Sequence, residues 1–194
     1  MSAARSGTAR SGTAPSGTAP SGTAPSGTAP SGTAPSGTAP SGTAPSGIAR
    51  VAVPASMSDD DAQLLTLAQE LLTRVWRDGR HEVASAVRTA DGAVHTGVHL
   101  EGSCRRSSIC AEGVALGAAR GAYPGERPLE VTSVVSVQIK PAGRFRVIAP
   151  CGVCRELISD YSPDATVWIT TVGENEVVPV RALDLLPDKS RRAW

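Results

Sequence analysis

Cys110-Ala111-Glu112 opens one stretch of this chain, and Pro150-Cys151-Gly152-Val153-Cys154 answers it further along. Each group sits where a helix should begin. A helix over about 110–121 is rich in small residues (Ala111, Gly113, Ala115, Gly117, Ala118, Ala119), with Ser107 or Ser108 as its cap. Small side chains let such a helix lie close to a sheet or to another helix. A second, shorter helix runs over about 151–160. Upstream, Leu64, Leu65, Leu67, Ala68, Leu71, Leu72 and Val75 recur at helical spacing over 59–76, capped by Ser58 or Asp59 and ended by Asp78-Gly79. Strands are expected at 83–88 and 94–100, around an Asp91-Gly92 turn. A polar loop, 102–108, leads into the first cysteine helix. The β-branched run 131–139 is a buried strand, and 145–148 is a candidate extension of the sheet edge. Strands at 166–172 and 176–178 follow, the last stopped by Pro179, and 180–186 forms a final helical turn. The order predicts an α/β fold, a three-layer α-β-α sandwich around a mixed five-stranded sheet.

The remainder of the chain divides sharply in composition. Residues 6–50 are nine copies of Ser-Gly-Thr-Ala followed by Pro or Arg, with Ile48 replacing Thr in the last copy. Ordering such a segment costs roughly 1–2 kcal/mol per residue of backbone entropy, with almost nothing to bury. The sequence therefore predicts a disordered low-complexity tail over 1–56 and one folded domain over 57–194. Met57 also reads as a candidate protein start, with the repeats then belonging to an over-long gene assignment. A mucin-like or cell-wall role for the tract would call for a secretory signal, and the first residues carry no apolar core for one.

Charge narrows the partners. Arg5, Arg10 and Arg50 are the only charged residues before Met57, so the formal charge from Met57 onward is −2. Three Trp, two Tyr and one Phe supply few surfaces for stacking bases. Both facts argue against a nucleic-acid partner. The apolar runs are too short for a membrane span. A cytoplasmic location is expected, where the four cysteines stay reduced.

Cys151 and Cys154 form a C-x-x-C pair, which suits two thiolates on one metal, a redox dithiol, or two small buried residues without chemistry. Cys110 adds a third sulfur at another helix start, where the dipole's positive end favours a thiolate. Glu112 is either an acid that stabilises the first turn or a proton shuttle beside a metal-activated water. Its company with three cysteines favours the shuttle. Cys104 is a loop thiol or a fourth ligand, and as a ligand it would close the site into a non-catalytic zinc scaffold. Arg105 and Arg106 are solvated loop charges or a fork for a carboxylate-bearing substrate. His81 and His95 read as structural or surface residues.

Cys110-Ala111-Glu112 with Pro150-Cys151-x-x-Cys154-Arg155 resembles the zinc-dependent cytidine deaminases, in their small three-cysteine branch that includes blasticidin-S deaminase. Val83-Ala84-Ser85-Ala86, Thr96-Gly97-Val98 and Leu185-Leu186-Pro187 fall in the family's order. The resemblance implies Zn2+ on Cys110, Cys151 and Cys154, with a water or hydroxide that attacks C4 of a cytosine ring. It implies Glu112 as the catalytic proton carrier and the Ala111 backbone facing the base. Glu101 falls at a sugar-binding glutamate, and His99 stands where the family has Asn, as a substrate contact or a strand-end residue. Gly113 replaces an arginine that tempers the thiolate charge, a role Arg155, Arg105 or Arg106 would take. Ala149 replaces a serine. The family's C-terminal aromatic is absent at its usual distance after Leu185-Leu186-Pro187, and Trp194 is either its replacement or a frayed end. The implied protein is a homotetrameric hydrolase of nucleoside salvage. It converts free cytidine or deoxycytidine to the uridine form plus ammonia, or acts on a modified cytosine nucleoside such as blasticidin-S or another amino-heterocycle.

Overall fold

A computed structural model of the chain describes residues 47–77, 80–104, 107–123, 128–139 and 143–190. Residues 1–46 with most of the repeats, Asp78-Gly79, Arg105, Arg106, residues 124–127 and 140–142, and residues 191–194 with Trp194 lie outside the described residues.

Two strands whose side chains are buried on both faces make the centre. β1 (Val83–Thr89) pairs antiparallel with β2 (Val94–Val98) on one side and with β3 (Val131–Ile139) on the other. β3 in turn pairs parallel with β5 (Thr166–Thr170), and β5 pairs antiparallel with β6 (Val177–Arg181), giving the order β2-β1-β3-β5-β6. Alternation along the central strands sends Ala84, Ala86, Val135, Val137 and Ile139 to one face. Val87 and Val134 go to the other. An extra residue, Thr132, shifts the register where Arg88 and Thr89 face Ser133 and Val131. The three layers and the mixed sheet are those the sequence predicts.

Helix α1 (Asp59–Val75) starts at Ser58, whose hydroxyl accepts from the Asp61 N–H at 3.2 Å. Its Leu64, Leu65, Ala68 and Leu72 are fully buried against the first face. Each buried leucine there is worth about 1.5–3 kcal/mol. Ile48 and Val51, upstream of Met57, pack against the same cluster. Helices α2 (Ala111–Ala122) and α3 (Gly152–Tyr161) cover the second face through Ala115, Leu116, Ala119, Cys154 and Ile158.

Four details differ from the sequence reading. The sheet gains a sixth strand because β4 (Phe145–Val147) pairs antiparallel with the end of β3 rather than merely extending an edge. β2 ends at Val98, and Leu100 makes an isolated bridge to Ile109 instead. Pro179 lies inside β6, opposite Trp168, rather than ending it. An edge strand tolerates a residue without an N–H. Neither Ser107 nor Ser108 caps α2. The Ser108 hydroxyl accepts from Gly102 N–H and Ser107 donates to the Cys104 carbonyl, so the cap position falls to Cys110.

Gly97 on β2 sets how closely α2 can approach. A Cβ there would run into the Ala111 carbonyl, the Ala115 N–H and the Val114 side chain. No flexible side-chain end is available to yield. Gly97→Ala is expected to push α2 off the sheet and to cost about 2–4 kcal/mol of stability, by overpacking against backbone. Thermal and urea unfolding of the variant check this, and a loss below about 1 kcal/mol would contradict the packing.

Candidate active site

Both helix starts deliver a cysteine in the cap position. Cys110 precedes α2 and Cys151 precedes α3, each in extended backbone and each without a side-chain capping bond. Their sulfurs are therefore free for other partners. Cys154, one turn into α3, is buried. The three sulfurs lie within 4.8 Å of one another, and Cys110 Sγ stands 3.7 Å from Cys151 Sγ. Zinc–sulfur bonds of about 2.3 Å in a tetrahedron require sulfurs about 3.8 Å apart. The donor set thus fits Zn2+ in type, number and spacing. Cys104 is exposed and lies outside this trio, so the fourth-ligand reading of that residue finds no support.

Glu112 occupies the first turn of α2 with only 3 % of its surface exposed. The Cys154 thiol donates to its Oε2 at 3.4 Å. The carboxylate therefore stands beside the sulfurs without belonging to the trio.

The electrostatics are uneven. Burial pushes the Cys154 thiol far up, and the charges of Glu112, Cys110 and Cys151 add to that push. Burial also raises Cys110, reinforced by its hydrogen bond with Cys151 and by the Cys151 charge. For Cys151, burial alone would raise the thiol. Hydrogen bonds from the Cys154 N–H, the Cys110 and Cys154 thiols and the Val153 N–H outweigh it and bring it down. The helix start thus favours a thiolate at Cys151, as the sequence suggests, but not at all three. A cation removes the mutual repulsion and deprotonates the set.

Beside the sulfurs opens a cavity of about 210 Å³. Val83, His99, Ala111, Glu112, Ile148 and Ala149 line it together with Cys110 and Cys151. Its walls are mostly apolar, as a ring-binding slot needs, and it is smaller than the roughly 300–1,000 Å³ of drug-sized sites. His99 is held from two sides. Its carbonyl is bonded to His81 Nδ1 at 2.9 Å, and its own Nδ1 lies 3.6 Å from Glu101 Oε1. Glu101 itself is exposed and does not line the cavity. The Arg155 guanidinium is bonded to backbone: Nε donates to the Pro150 carbonyl at 2.9 Å and Nη1 to the Leu185 carbonyl at 3.4 Å. It fixes the turn that presents Cys151. A Cβ on Gly113 would meet Ile109 and Leu157 at ordinary contact distance. Arg105 and Arg106 lie outside the described residues. Val83, Ile148 and the supporting role of His81 were not foreseen. Nothing in their local pattern marks them, since only the sheet register brings them to the helix starts.

An α/β sandwich that sets three sulfurs and a buried carboxylate at two helix starts defines a zinc-dependent hydrolase. Residues 58–170 match the family model for the cytidine and deoxycytidylate deaminase zinc-binding region. The chain is 35% identical over 139 residues to blasticidin-S deaminase of Bacillus cereus, spanning 71% of this chain and 96% of that one. It is 28% identical over 109 residues to cytidine deaminase of Halalkalibacterium halodurans, 56% of this chain and 76% of the relative. Among solved structures, cytidine deaminase of Burkholderia pseudomallei superposes with a TM-score of 0.53 at 29% identity, covering 68% of this chain and 98% of that one. Cytidine deaminase of Mycobacterium tuberculosis gives a TM-score of 0.51 at 25% identity, covering 66% and 94%. The chain belongs to the cytidine and deoxycytidylate deaminase family.

Purified protein should carry about one zinc per chain. Cys110→Ala, Cys151→Ala and Cys154→Ala should each lose most of it, while Cys104→Ser keeps it. Because Cys110 and Cys154 are raised and therefore protonated near neutrality, zinc uptake should release about two to three protons and tighten as pH rises. Elemental analysis, and calorimetry in buffers of different ionisation enthalpy, measure both.

Proposed function

We propose that this protein hydrolytically deaminates a free cytosine nucleoside, converting cytidine or deoxycytidine to the uridine form with release of ammonia. The observation that carries the reading is Glu112, buried beside three sulfurs of zinc-binding spacing at the end of a ring-sized cavity.

Cys110, Cys151 and Cys154 hold the metal, which when bound supplies an activated water at its open position. Glu112 Oε2 accepts from the Cys154 thiol, a bond that would be lost if that sulfur held the metal as a thiolate. Glu112 then takes a proton from the attacking water and passes it to N3 of the ring. After oxygen has joined C4, Glu112 takes the remaining proton from that oxygen and carries it to the exocyclic amine, so that the C4 oxygen can become a carbonyl. The C4–N bond breaks, ammonia leaves and the ring keeps a C4 carbonyl. Val83 and Ile148 exclude bulk water from one part of the cavity, and the Ala111 backbone faces the base. His99, steadied by His81 and Glu101, meets the substituent on the ring nitrogen.

A second reading, a modified cytosine nucleoside such as blasticidin-S, draws support from the 35% identity to a relative of that name and from His99 and Glu101. Glu101 stands outside the cavity wall, so it favours a substituent that extends past the mouth. The homotetramer and the cytoplasmic location remain parts of this proposal. Support for self-association comes from the exposed Leu100, Ile109 and Val153 near the cysteines, and static light scattering reads the mass directly. Among the described residues no helix is long and apolar enough to cross a membrane.

Glu112→Gln should lower kcat by about 10²–10⁴ while zinc content stays at the wild-type level. His99→Asn should leave zinc unchanged and alter the ranking of cytidine, deoxycytidine and blasticidin-S by kcat/KM. Ammonia release measured on that panel decides between the two substrates. Zinc-loaded wild-type protein that releases none from any of the three would contradict the proposal.

A further inference from the structure

The nine repeats end on their single irregularity. Every earlier copy has Thr at its third place, and the last has Ile48. Ile48 and Val51 are the upstream residues that pack against the α1-side core. Two backbone bonds fix the same segment. Val51 N–H donates at 2.9 Å to Oε1 of Gln69, a side chain on α1 with 3 % exposure. Phe145 N–H donates at 3.0 Å to the Ala49 carbonyl, and Ala49 forms a parallel bridge with Arg144. Without Val51, the buried Gln69 carboxamide would lose the partner it has here, at the cost of an unsatisfied polar group.

Where those bonds land gives them a functional meaning. Phe145 opens β4, and β4 runs without interruption into Ile148 and Ala149 of the cavity wall and then Pro150 and Cys151. On its other side β4 is held by β3, and Ile148 N–H donates to the Ser136 carbonyl at 3.0 Å. β4 is only three residues long, so one added backbone bond is a large share of its support. We infer that residues 48–51 are a strap whose docking on α1 and β4 positions the segment that carries the cavity wall and Cys151. The strap lies outside residues 58–170, the span the family model matches. The inference rests on the reading of Cys151 as a zinc ligand, and Ile48, Val51 and Gln69 are positioning residues rather than catalytic ones.

The test uses the full chain with Ile48→Thr, which restores the repeat consensus, Ile48→Val as the conservative change, and Val178→Ala on β6 as a control. Each is compared at the same interval below its own Tm. Two readouts are taken: amide hydrogen exchange across residues 145–151, and the rate of zinc transfer to a chromogenic chelator. Ile48→Thr should speed both by about fivefold, the factor that one net hydrogen bond supports, while Ile48→Val and Val178→Ala stay within about twofold of wild type. If Ile48→Thr speeds neither, or no more than Val178→Ala does, the segment only adds stability and the inference falls. Wild-type protein that holds no zinc would instead remove the reading of the site, and exchange across 145–151 would then decide the strap by itself.

Discussion

Three thiols within 4.8 Å of one another, one of them bonded to a buried carboxylate, cannot all ionise without a cation. Burial raises Cys154 and Cys110, and the neighbouring negative charges raise them further. Only Cys151, which receives the free N–H groups of Val153 and Cys154 at the start of α3, is drawn toward the thiolate. The arrangement is poor in isolation and well matched to a divalent metal, whose charge exceeds what two helix dipoles supply. Because the same low-dielectric pocket holds Glu112, its carboxylate is kept close to the three sulfurs but out of the trio.

The rest of the molecule keeps those two helix starts aimed at one point. On one side, Gly97 removes the side chain that would separate β2 from α2, so the first turn of α2 sits directly over the sheet. On the other side, α3 is clamped along its length. Arg155 ties the Pro150 turn to Leu185. Lys189, with 4 % of its side chain exposed, donates to the Glu156 carbonyl and Ser159 and pairs with Asp160 at 2.8 Å. A lysine this deeply covered is stable only because several acceptors meet it, so the chain after the 3₁₀ turn at Ala182–Leu185 is firmly joined to the ligand-bearing helix.

The sequence makes the layers and the donor set legible because both depend on local chemistry. The 3.6-residue spacing of Leu64, Leu65, Ala68 and Leu72 marks α1. β-branched alternation marks β3, and the two cysteine groups mark the helix starts. What it conceals depends on partners distant along the chain. Ser107 and Ser108 are good capping residues by type, but the loop's own backbone uses their hydroxyls, and Cys110 takes the cap. Pro179 breaks strands by propensity, yet an edge position makes its missing N–H harmless. Arg155 has the right charge to temper thiolates, but carbonyls at Pro150 and Leu185 claim its guanidinium. Val83 and Ile148 become cavity walls only when β1, β3 and β4 are in register. Ile48 differs from its eight predecessors by one side chain, and only the fold shows what that change reaches.

Three cysteines, and not four, are proposed to hold the metal and leave one position open to water. X-ray absorption at the zinc edge of the loaded full-length protein tests it most directly. Three sulfur scatterers at about 2.3 Å and one oxygen or nitrogen at about 2.0 Å are expected. Four sulfurs at about 2.3 Å would mean that Cys104 closes the site, and would contradict a catalytic metal.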